Sequence, residues 1–323
     1  MTIDRRVTLG AFAAALLAPA APVGAQVVRQ LDITVPGGPG SGLDQAARGV
    51  EEALKAEKLV GTVRITNVAG GGGMIALSQF ITTKEGNKTA VVVQGAGTVF
   101  FPLTNKTPVS LNDVRPLVRL AGEYEVLAVR TESDVKRFTD LMARFKANPG
   151  SVAWGGGSPG STENIFFAHL AKVAGMQPRQ VNFIPHPNTG EVVISALNGQ
   201  ATVVGGGLQD FAAQVEAGKL RIVAVAAPER LPGVDAPTLR ELGHDIVFAN
   251  WRGVSVHRSL DDASADALAD LFRTMTGTPR WKKILQDRGW LDLFLAEKEY
   301  QAFIAEETRI AREILAELGI APK

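Results

Sequence analysis

The sequence has 323 residues, which is longer than a single hydrophobic core usually supports, so we expect two lobes. Hydrophobic residues make up 46% and charged residues 21% of the chain, a composition typical of an ordinary globular protein. The formal net charge is only +1 and no block of like charges occurs, which argues against nucleic acid or an anionic membrane as a partner.

The first 25 residues have the three-part pattern of a secretory signal peptide. Arg5 and Arg6 precede an apolar run over 9–17, and Val23-Gly24-Ala25 provides small residues for cleavage, so the mature chain should begin at Gln26. Ordinary secretion and the twin-arginine route both stay open. No later apolar run is long enough to cross a membrane, so we expect no membrane insertion of the mature chain. The pattern therefore predicts a periplasmic protein, and the lack of cysteine fits this location.

Short apolar runs alternate with amphipathic helical patterns after the signal peptide. This alternation predicts an α/β fold with mostly parallel sheets and helices on both faces. After the strand predicted at 253–256 we expect helices only, at 263–275, 279–288 and 298–318. The other predicted strands are Leu31–Val35, Val63–Thr66, Ala90–Gln94, Val126–Arg130, Val152–Trp154, Val181–Ile184, Ala201–Val204 and Arg221–Ala226.

The helical C-terminal part needs a sheet to pack on, which suggests that the chain returns to its first lobe. We therefore predict one lobe from residues 26–123 plus 253–323 and a second from 124–252. The two crossings, near Gly122–Glu125 and Asn250–Gly253, would form a hinge that contains Trp251 and Arg252. Because ligands of open α/β sheets bind beyond the carboxyl ends of the strands, the site should lie between the lobes.

Two glycine-rich loops each connect a predicted strand to a helix start, at 36–42 and 155–161. Such a loop directs backbone N–H groups outward at the positive end of a helix, which suits a carboxylate or a phosphate. Ser41 and Asp44 have the spacing of a capping box, so Asp44 would fix the first loop. A third glycine loop follows Asn67, and Thr189-Gly190 opens another helix after a strand and joins the candidate site.

Catalytic alternatives rest on the second loop. Gly155, Gly157 and Gly160 fit a dinucleotide fingerprint, but the next strand lacks the acidic residue that would bind the ribose. The turn Gly156-x-Ser158-x-Gly160, followed by Asp210 and His257, has the order of a hydrolase triad. Pro159 has no N–H for an oxyanion hole, so a secreted serine hydrolase using Ser158 is the alternative and not the first choice. The four histidines lack metal-ligand spacing, and we predict no cofactor and no metal.

Several stretches occur in order along nearly the whole mature chain: VPGGPGSGLDQAAR (Val35–Arg48), NVAGGGG (Asn67–Gly73), ANPGS (Ala147–Ser151), the loop Gly155–Asn164, Arg230 before APTLRELG (Ala236–Gly243), and NWRGV (Asn250–Val254). Together they resemble the substrate-binding proteins of tripartite tricarboxylate transporters, also called the Bug family. The last stretch is most similar to the tricarboxylate branch of that family.

The resemblance implies a two-lobed type II periplasmic flytrap that is not an enzyme. It would close on a small di- or tricarboxylate such as citrate and deliver it to the membrane subunits of a tripartite transporter, and we expect a monomer. A role in feeding a sensor kinase stays open. With Thr189 and Gly190, the candidate ligand-binding residues are Gly38, Gly40, Ser41, Gly42, Asp44, Ser158, Gly160, Ser161, Thr162 and Asn164.

The second loop departs from the family pattern, which usually has an acidic or polar residue followed by His. Here the pair is Glu163-Asn164. Asn164 can donate hydrogen bonds but carries no positive charge, and Glu163 near the pocket would repel an anion. The sequence therefore also allows a ligand that is less charged than citrate.

Overall fold

The computed structural model describes residues 28–320, so the predicted signal peptide lies outside the described residues. The expected α/β architecture is confirmed. The strands are β1 (Val28–Val35), β2 (Val60–Asn67), β3 (Ala90–Gly95), β4 (Val114–Arg130), β5 (Ala153–Gly156), β6 (Asn182–Pro185), β7 (Val203–Gly207), β8 (Leu220–Val225), β9 (Ala249–His257) and β10 (Leu291–Leu295). The α-helices are α1 (Gly42–Ala56), α2 (Met74–Thr83), α3 (Ala96–Thr104), α4 (Phe138–Ala147), α5 (Thr162–Val173), α6 (Thr189–Leu197), α7 (Leu208–Glu216), α8 (Asp262–Thr276), α9 (Pro279–Asp287) and α10 (Glu297–Leu318).

The strands form one curled sheet in the order β2-β1-β3-β9-β4-β7-β5-β6, with β8 and β10 also paired to β4. Pairing is parallel in the two outer groups, β2-β1-β3 and β7-β5-β6. Every pairing of β4 and β9 is antiparallel. The sheet is therefore mixed, and the prediction of mostly parallel pairing holds only for the outer groups. The reason is that β4 and β9 carry the chain between these groups in opposite directions.

Strand β4 joins the two halves of the sheet. Its residues from Val114 to Tyr124 pair with β9, and from Glu125 onward it pairs with β7 and β8. Only the last five residues of this strand, Val126–Arg130, were predicted from the sequence. The first half carries Arg115, Pro116 and several other polar residues, which obscure the apolar pattern although most of the strand is buried.

Helix α1 shows how the first half of the molecule acquires its core. Ser41 caps its N-terminus, and its residues Ala46, Ala47, Val50 and Leu54 recur at helical spacing on one buried face. This face packs in a cluster with buried residues of β1, β3, α8 and α9. Burial of each larger side chain such as Leu54 stabilises the fold by roughly 1.5–3 kcal/mol.

The C-terminal region contains a strand that the sequence analysis missed. Strand β10 lies between α9 and α10 and pairs with β4, with Leu291 opposite Gly122, so the prediction that only helices follow β9 is wrong. The strand is short and continues almost directly into α10, which hid it in the sequence. The amphipathic pattern of residues 133–147 likewise predicts a helix from Ser133, but α4 begins only at Phe138.

Helix α10 packs across the crossing strands. The fully buried ring of Trp251 in β9 lies edge-on to Tyr300 and Phe303 of α10, with ring centroids 5.5 and 5.6 Å apart. Within residues 28–320 none of the helices is both long and apolar enough to span a bilayer.

Candidate ligand-binding site

The two predicted loops have the same backbone structure. Gly40 and Gly160 occupy the left-handed region with φ of 81° and 79°, where glycine is favoured. The following serines, Ser41 and Ser161, cap α1 and α5, and each hydroxyl accepts a hydrogen bond from the amide three residues later, at 3.3 and 3.4 Å. The sequence Pro-Gly-Ser is shared by both turns, and it builds the same helix entry twice.

Asp44 and Asn164 hold these turns and are buried beneath them. The amide of Gly40 donates to Asp44 Oδ2 at 2.8 Å, and the amide of Gly160 donates to Asn164 Oδ1 at 2.9 Å. Burial raises the pKa of Asp44, but hydrogen bonds from Arg48, the Gly40 amide and Asn67 outweigh it, so the pKa lies below its ordinary value. Both side chains therefore position the loops.

A first cavity of about 270 Å³ lies where the N-termini of two helices meet. Ser41, Gly42 and Leu43 at the start of α1 line it together with Ala96 and Gly97 at the start of α3. The first two amides of each helix, those of 42–43 and 96–97, have no acceptor within residues 28–320. Four backbone donors and two helix dipoles are thus available to an anion.

The sequence did not predict that the start of α3 lines the first cavity. Strand β3 is a run of buried valines that ends at Gly95, and α3 begins at the next residue without a loop. The only available signal was the pair Gly95 and Gly97 at the end of this strand.

Arg252 supplies a cation to the same cavity. Its Nη2 donates to Glu123 Oε1 at 3.0 Å, and its Nη1 donates to the carbonyl oxygen of Asn250 at 2.6 Å. The guanidinium also lies over the ring of Trp290, 5.0 Å from the centroid. These contacts fix the side chain at the wall of the cavity, where it adds to the free amides as a cation that is already paired with Glu123.

A second cavity of about 200 Å³ lies at the N-termini of α5, α6 and α7. Three residues predicted to bind the ligand, Ser158, Ser161 and Thr189, line it, but so do the carboxylates of Glu163 and Asp210. Glu163 Oε2 accepts from the Ser161 hydroxyl at 2.6 Å and from the Gly157 amide at 3.2 Å. Asp210 Oδ2 accepts from the Gly207 amide at 2.9 Å. Glu163 thus occupies the hydroxyl of Ser161, a donor that the sequence had assigned to a ligand.

The acids of the second half influence one another. Burial, followed by the negative charge of Glu123, raises the pKa of Asp210 to about 6. Burial and then the neighbouring Glu163, Asp210 and Glu123 raise the pKa of Glu125 well above its ordinary value. Glu125 is fully buried, and neither of its carboxyl oxygens has a hydrogen-bond partner within residues 28–320.

The Arg252–Glu123 ion pair connects the two cavities. Arg252 lines the first cavity, while Glu123 Oε2 lies directly against Gly207, next to the Gly205-Gly206 wall of the second. A Cβ atom at position 207 would have no room beside Glu123, which explains the glycine there. The helix starts of both halves therefore lie on either side of this buried pair.

The remaining predicted residues have structural positions. Trp251 is buried against α10 and reaches neither cavity. The hydrolase triad is not assembled, because His257 contacts Ser259 and the carbonyl oxygen of Ile81. Other predicted residues lie in or next to the same turns without lining either cavity in the described chain: Gly38, Gly40, Asp44, Gly160, Thr162, Asn164 and Gly190.

Residues 46–320 match the family model of the tripartite tricarboxylate transporter family receptors. This chain belongs to that family. The receptors of this family are periplasmic solute-binding proteins and not enzymes, so the present receptor is an extracytoplasmic solute-binding protein and the hydrolase alternative is not favoured. The expected resemblance to the Bug family is confirmed.

Individual similarities agree with this assignment. The receptor is 29% identical to the UPF0065 protein in the gbd 5' region of Cupriavidus necator, over 83% of this chain and 82% of that protein. Its fold is similar to a solute-binding protein from Polaromonas crystallised without ligand, with a TM-score of 0.79, 21% identity and coverage of 90% of this chain and 99% of that one. An R. palustris protein with adipate gives a TM-score of 0.73 at 20% identity, over 91% of this chain and 99% of that one.

Proposed function

We propose that this receptor captures a small carboxylate between two lobes and delivers it to the membrane subunits of a tripartite transporter. The observation that carries the proposal is the convergence of the α1 and α3 N-termini and Arg252 on one cavity. A carboxylate has two acceptor oxygens that suit several N–H donors at once. The adipate in the R. palustris neighbour supports a carboxylate as the ligand class.

The number of donors is sufficient for useful affinity. Hydrogen bonds to a charged group contribute roughly 1.5–3 kcal/mol each, so the amides at 42–43 and 96–97 support micromolar binding after the costs of association. Ser158, Ser161 and Thr189 would contact the ligand from the second cavity when the lobes close.

The lobes are proposed to be 26–123 with 253–323, and 124–252. The passage of β4 from one half of the sheet to the other between Tyr124 and Glu125 supports this division. Trp251 and Arg252 belong to the neighbouring strand β9, where they lie opposite Gly122 and Ala121 of β4. They would therefore form the second crossing of the hinge. Residues 1–25 are proposed to direct export to the periplasm, where the receptor would act as a monomer.

Isothermal titration calorimetry with a panel of mono-, di- and tricarboxylates tests the proposal. A Cβ on Gly97 would meet no atom within 4 Å, so Gly97→Leu adds a side chain in the open space of the first cavity. We expect this variant to lose binding by roughly a hundredfold or more while the fold is kept. Gly150→Leu is the matched control, because a Cβ at this glycine outside both cavities contacts only Asn148, at 3.7 Å. The proposal fails when no carboxylate binds, or when Gly97→Leu binds as well as Gly150→Leu.

A further inference from the structure

We infer that the ligand of this receptor carries a protonated amine at the end opposite its carboxylate, so that it is a zwitterion and not a di- or tricarboxylate. The inference rests on the proposed function, because it takes the first cavity as the carboxylate site. It assigns the second cavity, with Glu163 and Asp210, to the amine.

The two cavities are built from equivalent turns that differ in charge. Position for position, Leu43 of α1 corresponds to Glu163 of α5, since each is the second residue after the capping serine. Thr98 of α3 corresponds to Asp210 of α7, since each side chain accepts a hydrogen bond from the glycine amide three residues earlier. At both matched positions the first cavity has a neutral residue and the second has an acid.

The basic groups are distributed in the opposite way. Arg252 lines the first cavity, whereas none of the described residues that line the second is Lys or Arg. His186 is the one histidine among those lining residues, and its Nδ1 lies 3.2 Å from the carbonyl oxygen of Gly156. A second ligand carboxylate would therefore lie beside Glu163 and Asp210 without a fixed cation to balance it.

Glu125 adds a third acid next to the second cavity. Its side chain lies on the same face of β4 as Leu127 and Val129, which pack in one core cluster with Phe167 of α5. In the pairing of β4 with β7, Glu125 lies directly opposite Gly207, next to the Gly205-Gly206 wall of the second cavity, and it is fully buried with both oxygens unpartnered among residues 28–320. A buried carboxyl group without a donor is costly, and a cationic nitrogen bound nearby would relieve the crowding of acids.

A primary ammonium group matches the acceptors that line the cavity. It has three N–H donors, and the carboxylates of Glu163 and Asp210 with the hydroxyl of Ser158 offer three acceptors. The two acids keep free lone pairs, because the contacts within the loops use only one oxygen of each, Glu163 Oε2 and Asp210 Oδ2.

The test compares matched ligands that differ only at one end. Calorimetry at about neutral pH would measure β-alanine against malonate, 4-aminobutanoate against succinate, 5-aminopentanoate against glutarate, and 6-aminohexanoate against adipate. We expect the best amino acid to bind roughly tenfold or more tighter than any of the dicarboxylates. Equal or tighter binding of a dicarboxylate overturns the inference and leaves the proposed function intact. Failure of every carboxylate to bind contradicts the proposed function itself.

Two variants test whether Glu163 and Asp210 cause the preference for a ligand with an amine. In Glu163→Gln and Asp210→Asn the side-chain oxygen that accepts from the loop amide is kept, but the charge is removed. We expect each to reduce the amine preference to about threefold or less, with unchanged thermal unfolding as the check on folding. Glu191→Gln is the control, because Glu191 is an exposed acid in the first turn of α6 and should leave the preference unchanged. A preference that survives both variants overturns the assignment.

Discussion

Asp44 and Asn164 perform the same task in the two turns, but they differ in charge and in the number of partners. Asp44 accepts hydrogen bonds from the amide of Gly40 and the side chains of Asn67 and Arg48. Asn164 accepts from the amide of Gly160. Asn164 therefore makes a buried loop contact without a charged group.

Replacement of Asp44 by alanine tests its structural role. The change leaves the Gly40 amide without its acceptor and removes one of the two acceptors of the Asn67 side chain, so we expect a loss of about 2–4 kcal/mol in the free energy of unfolding. Urea denaturation would measure it. Arg48→Ala is the control: the Arg48 side chain is 51% exposed, and its loss should cost less than about 1 kcal/mol. Similar losses in both variants would contradict a loop-holding role for Asp44.

At the scale of elements, α10 places an ionisable group in the core. Burial raises the pKa of Glu307 to about 7, and the nearby Trp251 indole and Arg119 offset this only in part. An acid whose folded-state pKa is raised stabilises the fold fully below its unfolded-state pKa, and this contribution is lost as the pH rises through the folded-state value. The docking of α10 on β9 should therefore weaken between about pH 4.5 and pH 7.

Glu307→Gln isolates this effect, because glutamine does not ionise. We expect the melting temperature of the variant, relative to the unmodified protein, to rise by a few degrees between about pH 5 and pH 8. Differential scanning calorimetry at both pH values would measure the change. Glu299→Gln, at an exposed position of the same helix, should show no such rise. A pH-independent difference for Glu307→Gln would show that its protonation does not affect the fold.

At the scale of the whole molecule, α10 of the first proposed lobe packs on α5 of the second: Lys172 pairs with Glu313 and Glu317, and buried residues of both helices share one hydrophobic cluster. Gly160 of the second half lies against Thr104 at the end of α3, and Gln209 of α7 lies against Gly289. Between these contacts only β4 and β9 carry the chain across. Rotation of the lobes about the crossing strands would therefore require α10 to shift on α5 or to move with it.

Small-angle X-ray scattering tests this motion. With saturating ligand we expect a smaller radius of gyration, because closure brings the second cavity over the first. The Gly97→Leu variant, which should not bind, would keep the radius of the ligand-free protein. Binding by calorimetry without any change in radius would indicate a rigid site and would contradict the hinge.

Local sequence determined most of the elements and both turns. Alternating apolar runs identified most of the strands, and Pro-Gly-Ser at 39–41 and 159–161 predicted two equivalent helix starts, because glycine and a capping serine act over a few residues. The ordered motifs also indicated the family. Only the tertiary structure decided which groups share a cavity. The antiparallel pairing of β9 with β3 and β4 brings Arg252 to the helix starts at 42 and 96 and pairs it with Glu123, residues far apart in the chain. The pairings of β4 with β7 and of β7 with β5 place Glu163 and Asp210 on the opposite side, so the charge of each half-site depends on long-range register that no local pattern encodes.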